Sequence, residues 1–170
     1  MIRILVSPYA SRTPDLPDSK TKINAKNYPY WKELIKKIKR DDIEIVQLGV
    51  EGEQQLSNIT EFKKNLSMKQ LKEELDNCDF WISVDNFFHH FAHYYNKPGI
   101  VIWGPSNPDL FGYKENLNIF KSKEQMIPYE QQYLFWRWIP YQRERFLEPD
   151  EVFKQIKDRL MEEKINVSCW

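Results

Sequence analysis

Two cysteines in 170 residues, Cys78 and Cys169, are too few and too unpatterned for a disulfide framework or a zinc ribbon, which fits a reducing cytoplasm. Charge of one sign is lacking too. The 25 basic and 25 acidic residues cancel, so no overall field draws the chain to nucleic acid or to anionic lipid. No secretory apolar region and no long hydrophobic run is present, and the expectation is a soluble, cytoplasmic protein without a membrane span. No G-x-G-x-x-G follows the first apolar run, which argues against a dinucleotide oxidoreductase. There is no Asp-x-Asp pair near a strand end to hold a metal, and no internal repeat.

What remains is an ordinary globular composition, with 41% hydrophobic and 29% charged residues, enough for one domain spanning residues 1–170 with a real core. Strand and helix patterns alternate along it. Ile2 to Val6 reads as a buried strand, Trp31 to Lys39 as an amphipathic helix and Ile43 to Leu48 as a second strand. Ser67 and Gln70 form a capping box for a helix through Leu75, just before the strand Phe80 to Val84. Glu148-Pro149-Asp150-Glu151 opens a last helix, Val152 to Glu163. The fold class is therefore α/β: a single Rossmann-like domain, a three-layer α/β/α sandwich with a mainly parallel sheet. The connection from Pro8 to Asn27 is long for such a fold, which marks it as a candidate functional loop.

The densest information lies between Val84 and Pro105. The apolar run Phe80-Trp81-Ile82-Ser83-Val84 stops at Asp85-Asn86, both good helix N-caps, ahead of Phe87-Phe88-His89-His90-Phe91-Ala92. Ligands of open α/β sheets bind beyond the carboxyl ends of strands, where the first N–H groups of a helix favour anions. A phosphate-bearing ligand is the natural expectation. Lys97-Pro98-Gly99, a further strand from Ile100, and the turn Gly104-Pro105-Ser106-Asn107-Pro108 follow, so that two adjacent strands deliver two polar loops to one sheet edge. Asp85 reads either as a helix cap or as a ligand contact. Asp85, His89 and His93 fall at i, i+4 and i+8, a metal-like spacing that no other Cys/His cluster supports. Tyr129 to Tyr141 concentrates aromatics around Arg137 and reads as core plus a partner surface.

Asp85-Asn86-Phe87-Phe88-His89-His90-Phe91-Ala92, Lys97-Pro98 and Gly104-Pro105-Ser106-Asn107-Pro108 together resemble the Asp-Ser/Thr-Gly-x-x-His-Leu-x-Ala, Lys-Pro and Gly-Pro-Thr-Asp-Pro signature of glycosyltransferase family 9, the ADP-heptose:lipopolysaccharide heptosyltransferases and relatives. Lys26-Asn27-Tyr28-Pro29-Tyr30-Trp31 and Leu48-Gly49-Val50-Glu51-Gly52-Glu53 also have counterparts there. The resemblance implies one half of a GT-B glycosyltransferase, the carboxyl-terminal half that binds a nucleotide-activated sugar, ADP-sugar favoured, with no metal or other cofactor. It further implies inverting transfer to an acceptor hydroxyl, the acceptor half coming from a partner chain or a homo-oligomer. Lys26 would meet the donor phosphates, and Asp85 the sugar hydroxyls. Backbone N–H groups of Asn86, Phe87 and Phe88 would face the pyrophosphate, with hydroxyls from Ser7 and Ser11. Glu53, or Glu51 if the loop is offset, would take the ribose; Leu66 would wall the nucleobase; and Gly104, Ser106 and Asn107 would shape the sugar pocket. His90 matches the family histidine, and Asp85 and His90 are the chain's substitutes for a catalytic base. Phe87 departs from the pattern, since it stands where the family has Gly. That departure favours an alternative, a noncatalytic nucleotide-sugar-binding or scaffold protein.

Overall fold

In the computed structural model, which describes residues 1–10, 24–133 and 139–162, the alternating pattern becomes a six-stranded parallel sheet with helices on both faces. Strands β1 (Ile2–Ser7), β2 (Ile43–Gly49), β3 (Glu61–Lys64), β4 (Phe80–Val84), β5 (Ile100–Ile102) and β6 (Leu117–Ile119) lie in the order β3-β2-β1-β4-β5-β6. In register, Ile4 of β1 sits between Ile45 and Phe80. The helices are α1 (Trp31–Ile38), α2 (Met68–Asp76), α3 (Phe87–Tyr94), the single turn α4 (Pro108–Phe111) and α5 (Pro149–Glu162). The chain builds outward from β1 to one edge, then returns to β4 and builds to the other. Between β1 and β4 the connections part to opposite faces, and a crevice opens at the carboxyl ends of the strands.

Side-chain alternation along the strands makes the three layers. Ile4, Val6, Ile45, Ile82 and Ile102 face α1 and α5, which contribute Leu34, Ile35, Ile38, Val152, Ile156 and Leu160. Leu5, Val46, Trp81, Val101 and Trp103 face α2 and α3, which contribute Leu75, Phe88, Phe91 and Ala92. Every residue of β4 is buried, as expected of a central parallel strand covered on both sides. The capping box of Ser67 with Gln70 opens α2 as its sequence indicates. Pro149 occupies the first turn of α5, which therefore starts three residues before Val152.

Two strands have no clear signal in the sequence. β3 reads Glu-Phe-Lys-Lys and lies at an edge, where charged side chains are favoured because they discourage pairing with another chain. β6 is only three residues long. Of the aromatic segment, Tyr129 and Tyr133 are exposed, Gln132 is buried and Tyr141 packs against the core; Arg137 lies outside the described residues. Among the described residues no helix is long and apolar enough to cross a membrane.

Candidate functional site

A cleft of about 660 Å³ opens over the carboxyl ends of β1, β2, β3 and β4. Ser7 and Asp85 stand at the ends of β1 and β4; Leu48, Gly49 and Val50 come from β2; Lys63 and Asn65 come from β3 and the turn after it. The described start of the loop after β1, Pro8 to Ala10, is tied down from two sides. Asn86 donates through Nδ2 to the Ser7 carbonyl, the Ser7 hydroxyl and the Tyr9 carbonyl, and the Asn27 side chain accepts from the Ala10 N–H at 2.8 Å.

Lys26 reaches the cleft because the aromatics after it are anchored in the core. Tyr28, Tyr30 and Trp31 are buried. Tyr28 donates to the Leu147 carbonyl, Tyr30 to Glu148, and the Trp31 indole N–H to the Pro8 carbonyl at 3.0 Å. The Lys26 ammonium then lies 2.8 Å from Asp85 Oδ2, with side-chain exposures of 15% and 5%. The pair is an ion pair off the line of an aligned hydrogen bond. Such a buried pair is costly to desolvate and is weak evidence of a purely stabilising role. Asp85 is not the helix cap. Asn86 occupies that position and accepts from the Phe88 N–H at 2.8 Å, leaving Asp85 turned to Lys26.

At the amino end of α3 the capping box uses a histidine. His89 Nδ1 accepts from the Asn86 N–H, and its Nε2 lies 3.2 Å from the Phe111 carbonyl. A nitrogen that accepts and a nitrogen that meets a carbonyl define one neutral tautomer, Nε2–H. Burial first, then the neighbouring His90, lowers the His89 pKa to about 4. In the unfolded chain it is ordinary, so between roughly pH 6.5 and 4 the unfolded state binds more protons. Stability is expected to be full well above pH 6.5 and to fall by roughly 3 kcal/mol on acidification to pH 4, a slope that His89→Gln should flatten in denaturant titrations. Equal slopes in both proteins would show that His89 is not held neutral.

The N–H groups expected to face a pyrophosphate are partly committed within the helix start. Those of Asn86 and Phe88 bond to His89 and Asn86, while Phe87, at the first helical position, lines the cleft with 56% of its surface exposed. Leu66 lines the cleft and also packs, with Leu71, against the core as the staple of α2. Glu53 lines the opposite wall and accepts from the Val50 N–H at 3.1 Å. Gly49 makes room for it, since a Cβ there would overlap the Glu53 carboxylate. His90 is exposed at the cleft wall, and its Nδ1 is 2.8 Å from the Tyr113 hydroxyl.

Of the residues singled out in the sequence, the structure brings Ser7, Lys26, Glu53, Leu66, Asp85, Asn86, Phe87, Phe88 and His90 to this cleft. It does not bring Gly104, Ser106 and Asn107. The order of the strands sets the cleft on the β1 side of β4, whereas the 104–108 turn follows β5 on the other side. Gly104 packs on Phe146, where a Cβ would stand 2.5 Å from Cε1; Ser106 is fully buried; Asn107 caps α4. Lys97 of the Lys-Pro pair binds the Leu75 carbonyl in the last turn of α2 and the Cys78 carbonyl just beyond it, each at 2.6 Å. Ser11 lies outside the described residues. Asp85, His89 and His93 do not converge, because His93 pairs with Glu115; Asp85, His89 and His90 do, with one ligand atom of each within 4.8 Å of the others. Both ring nitrogens of His89 already have backbone partners, and Asp85 already faces an ammonium. Tyr9, Asn24, Lys63 and Asn65 are cleft residues that the sequence did not single out. Only Asn65 carried a local signal, as an Asn two residues before a helix cap, and it adopts a left-handed φ of 53°.

A family model described as glycosyltransferase family 9 (heptosyltransferase) matches residues 16–134, more than half of the chain. The chain belongs to glycosyltransferase family 9. Solved structures agree with this family 9 fold. ADP-heptose LPS heptosyltransferase II of Escherichia coli is 16% identical with a TM-score of 0.65, over 96% of this chain and 47% of that one. A family 9 glycosyltransferase of Veillonella parvula is 16% identical with a TM-score of 0.66, over 95% and 46%. The iron-containing dodecameric heptosyltransferase TibC, solved with ADP-D-β-D-heptose, is 14% identical with a TM-score of 0.68, over 95% and 47%. These likenesses are of fold, and this family 9 chain spans about half the length of the structures it matches. Curated proteins gave no match.

Proposed function

We propose that the chain is the donor-binding part of a glycosyltransferase, holding a nucleotide-activated sugar, ADP-sugar favoured, in the cleft over β1, β2 and β4. The observation that carries this reading is the buried Lys26–Asp85 pair beside the amino end of α3 in a family 9 fold. An ammonium whose counter-ion is a neighbouring carboxylate can turn to a diphosphate while the carboxylate turns to sugar hydroxyls, so both partners exchange one polar contact for another. The α3 amino terminus adds its dipole on the same side. The ADP-heptose bound by TibC suggests the nucleotide. In transfer, an acceptor hydroxyl would attack the anomeric carbon with inversion as the nucleoside diphosphate leaves, and Lys26 would stabilise the charge growing on that leaving group without a metal. The acceptor surface, and a base to take the hydroxyl proton, would come from a partner chain or a second copy of this one; Asp85 and His90 are the candidates for proton handling within the chain. No membrane span or nucleic acid enters this reading, and a cytoplasmic setting suits a nucleotide-sugar donor.

Phe87 favours a second reading. A large side chain at the first position of α3 narrows the approach to its N–H groups, which suits a nucleotide-sugar-binding or scaffold protein without turnover. A calorimetric and thermal-shift panel of ADP-, UDP-, GDP-, CMP- and dTDP-sugars tests both. A single saturable ADP-sugar signal, with the midpoint rising as ligand is added, is expected. Release of ADP in the presence of a candidate acceptor chain separates transferase from scaffold. No binding of any of the five by the folded chain would overturn donor binding in either form and leave the scaffold.

A further inference from the structure

Tyr113 lies in the turn between α4 and β6, and no part of the proposed chemistry uses it. Its hydroxyl is 2.8 Å from His90 Nδ1, and its ring is fixed from the other side by His93, stacked at 3.5 Å between centroids with an interplanar angle of 8°. Glu115 in turn binds His93 Nδ1. The phenol therefore has little freedom to swing away from His90. Burial first, then the Glu115 carboxylate, raises the Tyr113 pKa, so it keeps its proton. Burial lowers that of His90, which favours a neutral ring. The charged groups that face His90 are Asp85 and Lys26, and the titratable groups on its own helix are His89 and His93. Nδ1 is engaged by Tyr113, so Nε2 is the nitrogen His90 has for a cleft ligand.

We propose that Tyr113 is a positioning residue whose O–H donates to His90 Nδ1, fixing the tautomer in which His90 offers Nε2–H to the ligand. Of the two candidates for proton handling within the chain, His90 is then a hydrogen-bond donor to a phosphate or sugar oxygen and not the base that removes the acceptor proton, which leaves Asp85. This deepens the donor-binding reading and rests on it for the identity of the ligand; the tautomer itself does not. A phenol O–H is a better donor than a neutral imidazole N–H, and its lone pairs are poorer acceptors than an imidazole nitrogen, so the Tyr-to-His direction is the stronger bond.

The test is a long-range 1H–15N correlation spectrum of the 15N-labelled full chain at pH 7.5, with His90 assigned by its loss in His90→Gln. The expected result is an unprotonated Nδ1 and a protonated Nε2 in the unmutated protein, shifting toward a tautomer mixture in Tyr113→Phe. A protonated Nδ1, or a tautomer that Tyr113→Phe leaves unchanged, overturns the proposal. ADP calorimetry is the second arm. His90→Gln places an amide N–H near the Nε2 position and should stay within roughly threefold of the unmutated affinity, whereas His90→Asn, whose amide reaches only the Nδ1 position, should bind about tenfold more weakly. Equal losses in the two variants would contradict a donor at Nε2. If the unmutated chain binds no ADP, the donor-binding reading fails at that point while the spectrum still decides the tautomer.

Discussion

Lys26→Met is expected to lower stability by about 3 kcal/mol in urea titration and to weaken ADP-sugar binding on the order of a hundredfold. The two losses have different origins. Methionine keeps most of the lysine stem but leaves the Asp85 carboxylate, 5% exposed, without its counter-charge 2.8 Å away. Breaking one side of a buried pair is costly because the remaining ion is already dehydrated, whereas replacing both sides by apolar groups is often close to neutral. Lys26→Met/Asp85→Leu should therefore recover stability to within about 1 kcal/mol of the unmutated chain, with a coupling term far from zero. Binding should not recover, since the ammonium and the carboxylate would each meet the donor. A double variant that regains both would make the pair structural. A Lys26→Met protein as stable as the unmutated chain would mean that the two side chains do not share a buried site.

Gly99→Ala is expected to cost about 3 kcal/mol, measured by the same titration, although it adds a single methyl group. Gly99 precedes β5 and lies against the Trp81 indole. A Cβ there would stand 2.6 Å from Nε1 and closer still to Cε2 and Cδ2. The indole has no room to retreat. Trp81 is fully buried in the central strand, its ring meets Phe88 edge-on at 5.5 Å between centroids, and its N–H donates to the Lys97 carbonyl at 3.1 Å. The backbone must move instead, and with it the pairing of β4 with β5. Trp81→Leu alone should also destabilise, by about 3 kcal/mol, through lost burial and an orphaned carbonyl. The pair Trp81→Leu/Gly99→Ala should cost clearly less than the sum, because the smaller side chain makes space for the methyl group. Additive losses would show that the two positions do not compete for the same volume.

The frame of the protein was legible because each piece of it has a local cause. Short apolar runs bounded by polar turns made β1, β2 and β4 readable, and Ser67 with Gln70 or Pro149 in a first turn marked helix starts that the structure bears out. β3 escaped because an edge strand is shaped by avoidance of partners and carries a charge pattern that resembles a loop. The candidate site was only partly legible. Asp85 and Asn86 are equally good caps by residue type, and the cap went to Asn86 because Lys26, 59 positions earlier in the chain, holds Asp85 instead. His89 and His90 are neighbours in sequence but point about 100° apart around a helix, so the packing of α3 on the sheet sends one to the Phe111 carbonyl and the other to the cleft. Gly104, Ser106 and Asn107 carry a motif as clear as that of Asp85, yet the strand order sets them beyond β5 and away from the cleft. The sequence by itself determined the family, the α/β class and the strands and helices that carry the motifs, since periodicity, caps and motifs are properties of neighbours along the chain. Only the tertiary structure decided which of those motif residues share a cleft, because strand order and helix packing bring together groups that no local pattern connects.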